Sequence, residues 1–276
     1  MDYQIIQSNS SVENIEKYST LLSHVFQKTS KFSKEFLSWQ YSQNPLGIMV
    51  GTDAFYQGEL IAHHATIPVS YNIFGHNMKG LLAINNVTHP AHQGRGIFAR
   101  IGNATFEEAK LLNYDFVITV TNANSTYGYL NKFGFRFIAP LDVKVGIGSI
   151  HTSKINTSVY ANWDENQYRW RFSNPTAAYF LEGETVMSKT EIMGMSVQLK
   201  YDEIIQEGCM PIVQKKSILK TWIGLNSQLR MKGLFVDMPN VMKPSPLNLL
   251  FKDLKGNIPY FDKNQICFEL ADFDAF

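Results

Sequence analysis

Gln93-Gly-Arg-Gly-Ile-Phe98 holds the residues best suited to chemistry in this chain, because two glycines one residue apart stand directly before a helical run. Gly94 and Gly96 lack a Cβ, so the backbone can turn tightly and come close to a bound phosphate. Residues 97–110 then read as a helix whose first amides have no intrahelical acceptor and whose dipole favours negative charge at that end. The expectation is an anion cradle made by the amides of Gln93, Gly94, Arg95, Gly96, Ile97 and Phe98. The Gln93 side chain would be a further donor and Arg95 a nearby charge. Upstream, His63 and His64 offer imidazoles suited to taking a proton near neutral pH.

A lone Gly-x-Gly also marks ordinary turns, so the flanking elements decide its meaning. Lys79-Gly-Leu-Leu-Ala-Ile-Asn-Asn-Val-Thr88 is apolar enough for a buried strand, and His89-Pro90 closes it. Phe98, Ile101, Ala104, Phe106 and Ala109 give a helical stripe, and Asp115-Phe-Val-Ile-Thr-Val120 reads as the next strand. The unit is strand, glycine loop, helix, strand. It lacks the Gly-Lys-Ser/Thr ending of an NTPase phosphate loop and the three glycines of a dinucleotide fingerprint. Strand-like runs at 48–56 and 59–73 precede it, so the loop leaves a middle strand of the sheet. Alternation along 59–73 sends His63 and His64 to opposite faces, and at most one can face a given groove.

Gln93-Gly-Arg-Gly-Ile-Phe98 resembles the acyl-CoA pyrophosphate motif of the GNAT superfamily of N-acyltransferases, Gln/Arg-x-x-Gly-x-Gly/Ala. Asn122-Ala-Asn-Ser125 and Leu130-Asn-Lys-Phe-Gly-Phe135 resemble the family's second signature. The last small residue of the first motif is Phe98 here, and Gly-Ile-Phe variants resemble the branch associated with surface-polysaccharide and amino-sugar modification. The resemblance implies an α/β (α+β) fold with a mixed, mostly antiparallel twisted sheet flanked by helices. It also implies acetyl-CoA or another acyl-CoA as co-substrate, with no metal.

By the same resemblance, the strand ending at Asn86, Val87 and Thr88 would line the pantetheine arm, with a backbone amide near Asn86 and Val87 for the thioester carbonyl. Asn122 and Ser125 would bond to the pantetheine, unless they cap the following helix. The family commonly places a general-acid tyrosine where this chain has Leu130. Tyr127 and Tyr129 are the neighbours that can substitute, or they pack in the core, and the thiolate can instead take its proton from water. Many relatives carry a carboxylate base where this chain has Asn85 and Asn86, which leaves His63, His64 or water as proton acceptor. Trp39, Tyr41, Asn44 and Asn85 are the expected acceptor-binding residues.

The 276 residues are 45% hydrophobic, ample for a buried core, and the net charge of +1 gives no electrostatic reason to expect nucleic acid or a membrane surface. Only Cys209 and Cys267 occur, without metal-ligand spacing, which suits a reducing, cytoplasmic setting. The N-terminus does not read as a signal peptide, and no segment approaches the length of a membrane span.

Trp39-Gln-Tyr-Ser-Gln-Asn-Pro45 is echoed by Trp170-Arg-Phe-Ser-Asn-Pro175, and strand-like runs follow each. The order suggests two related halves, 1–145 with the cofactor loop and 146–276 degenerate and without it, since Val213-Gln-Lys-Lys-Ser217 stands where the glycines would be. In the second half, 217–230 reads as a helix, 233–238 as a strand and 247–254 as a helix. The whole reads as an N-acetyltransferase acting on a primary amine, with a nucleotide-linked amino sugar as first candidate. The alternatives are a non-catalytic acyl-CoA-binding module and a Fem-like aminoacyl transferase.

Overall fold

The computed structural model describes residues 2–27, 31–189, 195–201, 214–239 and 245–273. The first half runs β1 (Gln4–Gln7), α1 (Val12–Phe26), α2 (Lys34–Ser42), β2 (Val50–Tyr56), β3 (Glu59–Ile73), β4 (His76–Thr88), α3 (Ile97–Leu111), β5 (Phe116–Thr121), α4 (Ala123–Phe133) and β6 (Arg136–Pro140). Strands β1 to β4 pair antiparallel in sequence order, and β4 pairs parallel with β5 across the α3 crossover. Strand alternation then divides the core. Leu82, Phe116 and Ile118 face α1 and α2, while Leu81, Ala83 and Val117 face α3 and α4.

The second half contains β7 (Asp142–His151), β8 (Val159–Ala161), α5 (Glu165–Arg171), β9 (Tyr179–Glu182), β10 (Thr185–Lys189), β11 (Ser196–Tyr201), β12 (Leu219–Leu225), β13 (Arg230–Asp237), β14 (Asn248–Asp253) and β15 (Ile266–Glu269). Strands β9, β10 and β11 pair antiparallel and β11 pairs parallel with β12, the same order as β2 to β5. Residues 202–213, which connect that parallel pair and include Cys209 and Val213, lie outside the described residues.

Two predicted helices are strands instead. Residues 217–230 form β12 and the approach to β13, because Thr221, Trp222 and Ile223 favour a pleated surface and pairing with β7 and β11 covers both strand edges. Residues 247–254 form β14, whose Leu249, Leu250 and Phe251 are all fully buried. A central strand covered on both faces is a continuous apolar run, and periodicity cannot separate it from a buried helix.

The first half is completed by a strand of the second. β14 lies between β5 and β6, and β7 lies between β12 and β13. The expected division between 145 and 146 falls inside β7. Fifteen strands among the described residues join into one sheet. The long β3 forms part of the seam, pairing with β2 through its first part and with β8 at Tyr71–Ile73. Across the halves, each of Trp39 and Trp170 donates its indole N–H to the other's backbone carbonyl, at 2.8 and 3.1 Å, with the rings stacked. The two echoed Trp motifs meet each other in the interior.

Candidate active site

The parallel pairing of β4 with β5 covers only Gly80–Leu82 against Phe116–Ile118, although β4 continues to Thr88 and β5 to Thr121. Beyond Leu82 and Ile118 the ladder stops, with Thr119 Oγ1 still donating to Ala83 O at 3.0 Å, and the unpaired stretch past that contact forms a wedge in the sheet. A bulge in β4 widens it: three steps from Ile84 to Val87 oppose two from His63 to Ala65. Asn85 occupies the bulge with φ +51°, and Asn86 Oδ1 accepts the Ala65 N–H at 2.9 Å in place of a ladder carbonyl.

The glycine loop stands at the end of β4. Gly94 and Gly96 both have φ +73°, which side-chain-bearing residues rarely adopt, and a Cβ at either would meet nothing within 4 Å. The loop backbone is open to an approaching ligand. Gly96 is the N-cap of α3 and supplies no side-chain hydrogen bond, whereas Ser11, Ser33, Asn122 and Asp164 cap α1, α2, α4 and α5. Among the described α-helices, α3 alone presents its first turn without a side-chain cap, which suits an anion.

The loop's side chains serve other purposes. Gln93 Nε2 donates to Thr88 O at 3.0 Å, tying the loop to the strand end. Arg95 reaches Tyr3 Oη and Ala91 O at 3.3 and 3.4 Å. Gln93 and Arg95 thus both make contacts within the protein.

Phe98 projects from the first turn of α3 into an aromatic group with His64, Tyr129 and Phe133. Its ring comes so close to α4 that a Cβ at Gly128 would lie 2.8 Å from it. The departure from the family motif at Phe98 is thus matched by a glycine on the facing helix. Tyr129 is buried, and its hydroxyl receives the Asn86 amide and lies 3.5 Å from His64 Nε2. Burial pushes the Tyr129 pKa well above the ordinary tyrosine value. The hydroxyl keeps its proton at neutral pH, as an acid must.

His64 is neutral, its pKa pushed down to about 3 by burial and then by neighbouring His63. His64 Nδ1 and Thr88 Oγ1 are buried polar atoms with no hydrogen-bond partner. Such orphans on the α3/α4 side of the wedge fit an amide-bearing arm lying there.

The opposite face carries a different polar chain. His63, fully buried, has Nδ1 2.6 Å from Asp53 Oδ1 and Nε2 3.1 Å from Tyr41 Oη. Asn85 Nδ2 in turn donates to Tyr41 Oη and to Gln40 Oε1, at 3.0 and 2.6 Å. His63 and His64 do face opposite sides of the sheet, and both nitrogens of His63 are engaged.

The remaining predicted residues separate into two groups. Val87 is buried against the α1/α2 side. Asn122 and Ser125 form a reciprocal capping box on α4, and Tyr127 is exposed. Asn44 Nδ2 donates to Pro68 O, filling the place on β3 between its pairings with β2 and β8. Trp39 lines a small cavity between the halves together with Gln40, Tyr71, Trp163, Trp170 and Asp272. Sequence reasoning missed Asp53 and Gln40. The signal for Asp53 was a carboxylate inside the otherwise uncharged strand Val50–Tyr56, a position a charge occupies only when paired. Gln40 had no signal.

Residues 8–138 match the family described as acetyltransferase (GNAT) domain. Over those residues the chain is similar to a GNAT acetyltransferase domain. Solved structures similar over nearly the whole chain share the fold. A probable N-acyltransferase from Enterococcus faecalis V583 has a TM-score of 0.61 at 9% identity, covering 92% of this chain and 73% of that one. A GCN5-related N-acetyltransferase from Anabaena variabilis has a TM-score of 0.59 at 10% identity, covering 91% and 73%. Eis1 from Mycobacterium abscessus has 0.54 at 10%, covering 92% and 74%. No curated protein matches the chain in sequence.

Proposed function

We propose that this chain is an acyl-CoA-dependent N-acetyltransferase acting on a primary amine of a small molecule. The observation that carries this reading is the wedge between β4 and β5, which has an uncapped helix N-terminus at its mouth and a protonated, buried tyrosine inside. Acetyl-CoA supplies the thioester. The amides of residues 96–98 hold its diphosphate, and Thr88 Oγ1 offers a hydrogen bond to the pantetheine arm. Asn86 fixes the Tyr129 hydroxyl, which donates its proton to the departing sulfur and recovers one from water. Neither histidine presents an unoccupied nitrogen to the α1/α2 face, so the amine gives its proton to water.

The acceptor enters on the α1/α2 face, where the cavity between the halves offers about 40 Å³, enough for only a few waters. Its walls must part for anything larger than the amine itself. Trp163 and Trp170 make those walls aromatic, which suits the face of a sugar ring, and amino sugars are the first class to test. A reducing cytoplasmic compartment suits the buried free thiol of Cys267. No described helix is long and apolar enough to cross a membrane.

The test is release of CoA from acetyl-CoA with a panel of primary amines, nucleotide-linked amino sugars included. Turnover is expected, with Tyr129→Phe lowering kcat by about 10- to 100-fold and leaving the acetyl-CoA KM unchanged. Binding of acetyl-CoA without turnover of any amine would favour a non-catalytic acyl-CoA-binding module. The glycine cradle weighs against a Fem-like aminoacyl transferase, which needs no diphosphate site.

A further inference from the structure

We propose that Asp53, His63 and Tyr41 form a buried anchor that fixes the β4 bulge at Asn85, so that Asn85 Oδ1 orients the acceptor amine at the wedge. The inference rests on the acyltransfer reading above. Asp53 and His63 are fully buried, as is Tyr41, and every contact in the chain is short: 2.6 Å from Asp53 to His63, 3.1 Å to Tyr41 and 3.0 Å to Asn85.

One assignment of protons satisfies all of these groups. Asn85 Nδ2 spends its two hydrogens on Gln40 Oε1 and Tyr41 Oη, Tyr41 donates to His63 Nε2, and His63 Nδ1–H donates to Asp53. Ser8 Oγ donates to Asp53 Oδ1 and Tyr18 Oη to Oδ2, both at 2.7 Å, and the Tyr18 ring stacks on His63. Apart from the Asn85 bond to Gln40, the donors run toward one carboxylate, and bonds in such a series polarise one another.

The chain ends at a strained residue. Asn85 holds φ +51°, a conformation that costs a non-glycine residue energy unless local contacts compensate. Its two side-chain bonds supply that compensation and orient the amide. Oδ1 is then the one polar atom of this half-buried side chain without a hydrogen-bond partner among the described residues, on the α1/α2 face beside the wedge. A primary amine, which carries N–H donors, is the chemistry that fits a lone carbonyl acceptor there. His63 has no free nitrogen for the substrate, so it acts through Tyr41 as a positioning residue.

The test is a double-mutant cycle of Tyr41→Phe and Asn85→Gly, followed by hydrogen exchange of the peptide covering 80–92 and by turnover with hydroxylamine, a small unhindered acceptor. Glycine accepts the positive φ without the anchor. Tyr41→Phe is expected to speed exchange at 83–88 about tenfold without acetyl-CoA, and to lower kcat with an unchanged acetyl-CoA KM. In the Asn85→Gly background it is expected to change neither quantity further. Unchanged exchange in Tyr41→Phe, or additive effects in the double variant, would overturn the anchor. The acyltransfer reading fails separately, if acetyl-CoA does not protect the amides of 93–98 in the unaltered protein.

Discussion

The two halves repeat one strand order, yet the equivalent gap in each sheet is treated differently. In the first half, β5 pairs with β14 along its full length on one edge, while its other edge pairs with β4 only as far as Ile118. Among the described residues no strand pairs with Thr119–Thr121 on that edge, where only the Thr119 hydroxyl reaches Ala83 O, and the wedge lies beyond. In the second half, β12 pairs with β7 on one edge and with β11 only as far as Trp222 on the other. There β15 fills the place beyond, matching Glu269 to Gly224 and Phe268 to Leu225.

The plug is held by charge. Lys200, the residue before the last of β11, is buried with its Nζ 3.0 Å from Glu269 and 3.3 Å from Asp272. Burial alone would push the lysine pKa down, and the attraction of Asp272 and Glu269 outweighs it and holds the ammonium charged. Thr152 and the Tyr201 amide complete Glu269, and the Trp163 indole completes Asp272. One half leaves this stretch of the sheet unpaired, and the other closes the equivalent stretch with a strand and an ion network. The difference would confine the proposed cofactor site to the first half without appeal to the glycines.

The comparison can be broken most severely by separating the halves. Residues 1–145 alone lack β14, so β5 and β6 would expose unpaired edges around a buried apolar strand's place. That fragment is expected to be insoluble or unfolded by circular dichroism. A folded, acetyl-CoA-binding fragment would show that β14 is dispensable.

Next in size is Lys200→Met, which leaves two buried carboxylates without their cation. It is expected to cost about 3–5 kcal/mol in denaturant unfolding. If the plugged gap takes no part in cofactor binding, acetyl-CoA affinity of the folded variant should stay within about twofold. A large loss of affinity would instead tie the second half to the cofactor site.

The smallest effect is a pH slope from the open half. His64 stays neutral in the fold down to about pH 3, whereas the unfolded chain takes up that proton near its ordinary value of 6.5. Between those values the unfolded state binds more protons, so stability falls as pH falls, by about 1.4 kcal/mol per unit from this residue. His64→Phe is expected to flatten that part of the curve between pH 6 and 4. An unchanged slope would mean that His64 is not held neutral.

Much of the first half was legible in the sequence because its signals are local. The glycine pair, the helix after it and the opposite facing of His63 and His64 follow from residue type and period. Gly128 opposite Phe98 was not legible, since the fit of a ring against a missing Cβ exists only once α3 and α4 pack. The wedge was inaccessible for a related reason: it is defined by where backbone pairing stops, which leaves no mark on side-chain pattern. In the second half, β14 was misread because a strand buried on both faces loses its alternation, and its partners lie more than a hundred residues away. Tyr129 and Tyr127 could not be separated until α4 was placed, when one proved buried beside Asn86 and the other exposed.

The most direct measurement is calorimetric titration of the whole chain with acetyl-CoA, together with Gly96→Val. A valine there would be strained at φ +73° and would project a branched side chain into the open space before α3. One molecule bound per chain, with affinity reduced at least about 100-fold by Gly96→Val while the melting temperature changes by only a few degrees, is the expected result. Two molecules bound per chain, or one bound with undiminished affinity by the variant, would contradict an open cofactor wedge in the first half and a plugged one in the second.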